Sequence, residues 1–124
     1  MAIKISNTTV IDDSRNVTNI KAVQETVYSL SGTTPVLSPA NGTVQIWTLS
    51  GASTPTAGTW NSGEGLTLMI DDGSSGTITW TSVGSGVTWK TDGGSAPTLN
   101  TTGNTAIQLW KVDTTIYGAR VGDS

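Results

Sequence analysis

Apolar and polar residues alternate most clearly over residues 65–99, GLTLMIDDGSSGTITWTSVGSGVTWKTDGGSAPTL. Leu66, Leu68 and Ile70 share one face of an extended segment, Ile78 and Trp80 one face of the next, and Val87 and Trp89 one face of a third. Side chains along a strand point to opposite sides in turn, so each set marks a strand with one buried face. The runs DDGSSG and VGSG between them supply Gly for positive φ and Asp and Ser for local hydrogen bonds. The stretch therefore predicts a β-meander. Upstream, TVQIWTL (residues 43–49) sets Val44, Ile46 and Thr48 against Gln45, Trp47 and Leu49. A strand apolar on both faces is expected to be central or to lie at an interface. Downstream, TAIQLWKV (residues 105–112) sets Ile107 and Leu109 against Gln108, Trp110 and Val112. Asp113-Thr114 then turns the chain, and TIYGARV (residues 115–121) returns as a final edge strand ahead of a short tail.

The first thirty residues differ in texture. Ile3 and Ile5 alternate with Lys4 and Ser6, Val10-Ile11 precedes DDSRN, and Val17, Ile20, Val23 and Val27 recur among polar residues. Short extended pieces joined by Asx turns fit this pattern. Residues 21–30 also fit one short amphipathic helix capped by Asn19, although their β-branched residues favour strand. So little apolar surface cannot build a core of its own. The segment is read as an arm on its own domain or on a neighbouring subunit. Residues 31–42 carry Pro35, Pro39 and two Gly and read as a connector with one extended piece at Val36-Leu37. The predicted organisation is an arm over residues 1–30, a linker over 31–42 and a β-domain over 43–124. Its class is all-β, an antiparallel sandwich or barrel with an extended N-terminal arm.

Composition narrows the chemistry. The 124 residues suffice for one domain, and only 12% are charged, with no His and no Cys. The commonest general base, the thiol nucleophile, disulfides and thiolate metal sites are thereby removed. Six basic residues are scattered under a net charge of −3, which disfavours nucleic acid as a partner. Residues 1–6 contain no long apolar run, so neither a secretory signal nor a membrane anchor is expected there. Nearly all nine acids sit in predicted turns, where Asp caps backbone amides. Asp71-Asp72-Gly73 resembles the start of a Ca²⁺ loop, but the alternating ligands and closing Glu of such a loop are missing. No catalytic, cofactor or metal site is predicted, and no enzyme.

The five Trp carry more information. Trp80 and Trp89 alternate in phase with Ile78 and Val87, which favours core for at least one of them. Trp60, near the end of the loop over residues 50–64, either folds back to cap the core or meets a partner or a sugar ring. Trp47 and Trp110 stand beside Gln45 and Gln108 on the less apolar faces of their strands, at a subunit interface or under a second layer. The candidate interface set is therefore Ile3, Ile5, Val10, Ile11, Val17 and Ile20 from the arm, with Trp47, Trp60 and Trp110.

The run LTLMIDDGSSGTITWTSVGSGVTWKTDGGSAPTL followed by TAIQLWKVDTTIYGARV resembles a β-rich module of virion proteins from tailed, especially marine, bacteriophages. That module places an L-x-L-x-I-D-D-G strand and turn before I-T-W and V-x-W strands, a G-G-x-A-P-x-L loop and a W-K-V-x-x-x-x-Y-G hairpin. TTVIDDSRNVTNI, upstream, is similar to a leader of phage fibre chains. The resemblance implies a trimer-forming structural protein without catalysis, in which Asp72 and Gly73 serve a turn, Pro97 a loop, and Trp80 and Trp89 packing. The function expected from it is capsid decoration: a homotrimer cementing the major capsid protein of the virion, assembled in the host cytoplasm. The alternative is a tail-fibre or tail-tip module that recognises a host glycan or receptor through Trp60 and the loops over residues 50–64 and 71–76.

Overall fold

The structure, a computed structural model, describes residues 1–123. Its strands in chain order are β1 (Ile3–Ile5), β2 (Thr8–Ile11), β3 (Val27–Leu30), β4 (Val36–Leu37), β5 (Val44–Thr48), β6 (Thr56–Ala57), β7 (Gly65–Asp71), β8 (Val87–Trp89), β9 (Thr105–Val112) and β10 (Thr115–Asp123). Two single 3₁₀ turns, Gly73–Ser75 and Asp92–Gly94, complete the regular structure. The chain is β-rich, as its alternation predicts.

The pairing is not that of an antiparallel sandwich or barrel. Six strands form one mixed sheet in the order β3-β5-β7-β9-β10-β8. β3, β5 and β7 run parallel, β7-β9-β10 is antiparallel, and β8 joins β10 in parallel. Parallel neighbours need crossovers of about a dozen residues or more. The stretches between β3 and β5 and between β5 and β7 are long enough to supply them. Each crossover contributes one short strand, β4 and β6, and these pair with each other.

Four further expectations are corrected. Ile78-Thr79-Trp80 forms no strand; Ile78 makes only an isolated bridge to Ser53, so residues 65–99 are not a meander. β10 is not an edge, since β8 pairs along its far side and its last residues include Gly122 and Asp123; the rest of the expected tail, Ser124, lies outside the described residues. The arm is shorter than residues 1–30, because Val27–Leu30 is an integral strand, which also decides strand over helix there. The linker likewise belongs to the domain, with Leu37 fully buried.

The core lies on one face of the large sheet. Gln45 and Trp47 from β5, Leu66, Leu68 and Ile70 from β7, Ile107 and Leu109 from β9, Ile116 from β10 and Trp89 from β8 are buried there. The crossovers cover one half with Leu37, Leu49 and Trp60, and the segment between β7 and β8 covers the other with Trp80 and Val83. Trp80 meets Trp89 edge to face, with centroids 5.2 Å apart and planes at 77°, a favoured aromatic geometry. The alternation favours core for at least one of Trp80 and Trp89, and both are buried there.

Candidate interaction surfaces

Trp47 and Trp60 are core residues, exposed by only 1% and 6%. Trp47 donates its indole N–H to the carbonyl of Gly32 at 3.1 Å, and Trp60 donates to that of Leu37 at 2.7 Å. Trp47 thereby ties the first crossover to the sheet, Trp60 ties the two crossovers to each other, and each satisfies its polar atom inside the chain. Their assignment to a subunit interface is corrected on this ground.

Trp110 lies on the opposite face. Registration across the strands builds three rows there: Ser29, Ile46, Met69 and Ala106; Val27, Val44, Thr67, Gln108 and Ala119; and Gly65, Trp110, Tyr117 and Thr88. No charged residue stands in these rows. Ile46 is 43% exposed and Val27 60%, while Val44, Met69, Trp110 and Tyr117 are half-buried. Trp110 stacks on Tyr117, with centroids 5.9 Å apart and planes 21° from parallel, and the Lys90 ammonium sits 5.0 Å from the Tyr117 centroid. The Thr67 hydroxyl donates to the Gln108 carbonyl oxygen at 2.8 Å. Gln108 Nε2 has only a long 3.4 Å contact to the Leu109 carbonyl, so the amide retains donor capacity. Of this face, only Trp110 is among the residues expected from the sequence. The alternation of TVQIWTL and GLTLMID contained the rest, but which side was covered depended on crossovers that no local pattern encodes.

The arm is a separate two-stranded element. β1 and β2 form a hairpin across Ser6-Asn7, both at positive φ, as two-residue hairpin turns require. Asp12 then caps a turn by accepting hydrogen bonds from the backbone N–H groups of Ser14 and Asn16, both at 2.9 Å, and from the Asn16 side chain. The Asn16 backbone N–H, reinforced by the Asn16 amide and by Ser14, holds the Asp12 carboxyl below its ordinary range. Val17 bridges back to Ile11, and Asn19 donates to the Thr9 carbonyl at 2.8 Å. Ile3, Ile5, Val17 and Ile20 are exposed, whereas Val10 and Ile11 are half-buried within the hairpin. Among the described residues, no hydrogen bond or ion pair joins residues 1–20 to the rest of the chain.

The remaining candidates are loops. Asp72, at positive φ, accepts from the Ser74 and Ser75 hydroxyls at 3.1 and 2.6 Å, which is turn chemistry. Glu64 accepts from the Asn61 backbone N–H at 2.7 Å, and that bond, with the Asn61 amide and nearby Lys111, lowers its carboxyl below the ordinary range. No group of three or more metal-ligating side chains occurs among the described residues. An open cleft of about 370 Å³ beside Trp80 is lined by Ile78, Pro97, Leu99 and small residues, without charge.

Comparison with protein families, with curated proteins and with solved structures finds no match to this chain.

Proposed function

We propose that this chain is a structural protein of a tailed-phage virion, in which it decorates the capsid and cements it as a homotrimer bound to the major capsid protein. The observation that carries the reading is the arm. It folds its own backbone into a hairpin yet leaves Ile3, Ile5, Val17 and Ile20 in water, and an isolated two-stranded hairpin is marginal by itself. Apolar side chains repeated on a small, separately hydrogen-bonded element gain free energy when a neighbouring surface covers them. Symmetry then multiplies each modest contact over a shell. The sequence resemblance to phage virion modules points the same way.

The glycan-binding alternative uses Trp60, with the loops over residues 50–64 and 71–76, as its aromatic contact. Trp60 is buried and hydrogen-bonded inside the domain, so decoration is the preferred reading. Removing residues 1–20 tests it. The shortened chain is expected to stay folded and to lose binding to capsid shells in co-sedimentation; shell binding equal to that of the full chain would sink the proposal.

A further inference from the structure

We propose that the junction between arm and domain is a proteolytic processing site, cut at the Lys21–Ala22 bond by an endopeptidase selective for basic residues. The inference goes beyond the function proposed above and does not depend on it, since it needs neither a shell nor a second copy.

Proteolytic nicking requires backbone that is exposed and free of internal hydrogen bonds. Residues 20–25 meet both conditions. The arm ends its internal bonding at Asn19, whose side chain donates to the Thr9 carbonyl. The domain begins at Thr26, whose carbonyl accepts from the Val44 N–H at 3.3 Å. Among the described residues, none of residues 20–25 makes a hydrogen bond or an ion pair. All of residues 19–26 are exposed, Ile20 by 46% and Val23 by 79%.

The other basic residues of the chain lack this freedom. Lys4 is paired with Thr9 inside the β1-β2 hairpin. The Arg15 N–H donates to the Asp12 carbonyl at 3.0 Å, and the next N–H, of Asn16, is held by the Asp12 carboxylate at 2.9 Å. Lys90 donates its backbone N–H to the Gly118 carbonyl at 2.8 Å, and Lys111 donates to that of Glu64 at 2.9 Å. Arg120 is held in β10, with its backbone N–H on the Thr91 hydroxyl and its guanidinium on Asp92 and Asp123. Lys21 alone among the described basic residues has backbone unbound on both sides of its peptide bond, and Ala22 places only a methyl group behind it.

The cut is a hydrolysis. Water adds across the amide, the C–N bond breaks, Lys21 keeps the carboxylate and Ala22 leaves as an amine that takes up a proton. The ladder of β3 to β5 starts at Val27, so the sheet stays whole. The freed arm keeps only its own short hairpin, which is marginal in isolation, and no hydrogen bond or ion pair retains it on the domain among the described residues. Cleavage therefore runs one way and detaches the domain from whatever the arm holds.

The test exposes the folded full-length chain briefly to trypsin and reads the products by intact mass and N-terminal sequencing. The first product is expected to begin at Ala22 and to keep the thermal midpoint of the parent. Cleavage after Lys21 should be at least about 100-fold faster than after Lys90, Lys111 or Arg120, because those bonds open only when the domain does. In a denaturing concentration of urea that advantage should disappear. Lys21→Gln should leave the domain joined to residues 17–21 over the same time. A first cut after Lys4 or Arg15 places the weak point inside the arm and overturns the inference. A first cut in β9 or β10, a cleaved domain that unfolds, or a K21Q chain that yields the Ala22 product as fast as the parent overturns it as well.

Discussion

Gln45 explains why the Gln-Trp face of β5 turns inward. Its Nε2 donates to the carbonyls of Ser38 and Gly42 at 2.8 and 3.0 Å, so the buried amide caps two backbone acceptors of the first crossover. An alternation rule ranks Val44 and Ile46 as the more apolar set. The rule fails here because both N–H groups of the amide are paired, although its Oε1 is buried without a partner among the described residues. Gly118 plays the complementary part on β10. A Cβ built there would stand 2.6 Å from the six-membered ring of Trp89 and 2.8 Å from Val87, so the missing side chain is the seat of Trp89. Gly118→Ala is expected to destabilise the domain by about 1–3 kcal/mol, the usual cost of overpacking, measured as a lower thermal midpoint. An unchanged midpoint would mean that Trp89 packs elsewhere. The in-phase alternation of Val87 and Trp89 is visible in the sequence, but their dependence on Gly118, a partner far along the chain, is not.

Strand type was legible wherever a run carried its own period. β7, β9 and the β9-β10 turn at Asp113 follow the alternation of GLTLMID and TAIQLWKV. Strand direction was not legible, because a parallel or antiparallel choice is made by the connection and not by the strand. The Pro- and Gly-rich stretches that read as linker and loop became crossovers with a strand of two residues in each. The arm makes two predictions at this scale. Removing residues 1–20 should leave the thermal midpoint of the domain within about 1–2 °C, since no hydrogen bond or ion pair between the two is present among the described residues and surface changes have small effects. A large fall would show that the arm braces the sheet. The Asp12 turn also carries a pH dependence. Its carboxyl titrates below the ordinary range in the folded turn, so the stabilisation is fully present above that range and is lost as pH falls through the lowered value. Amide resonances of Ser14 and Asn16 should shift together on acidification; resonances that stay constant through strongly acidic pH would contradict the assignment.

Across the whole molecule, the sheet is sealed on one side by its crossovers and open on the other, and the arm adds a second apolar surface. Two such surfaces on one chain suit the role in an assembly proposed above. The virion is the context proposed for it; the alternation of Trp80 and Trp89 marked core, whereas no local pattern divided Trp47, Trp60 and Trp110 between core and surface. Cryo-electron microscopy of the phage particles proposed to contain this chain tests the account most directly. It predicts three copies around a local axis on the outside of the head, with residues 1–20 seated on the capsid protein. Density for the domain confined to tail fibres or the tail tip, with none on the head, would contradict it.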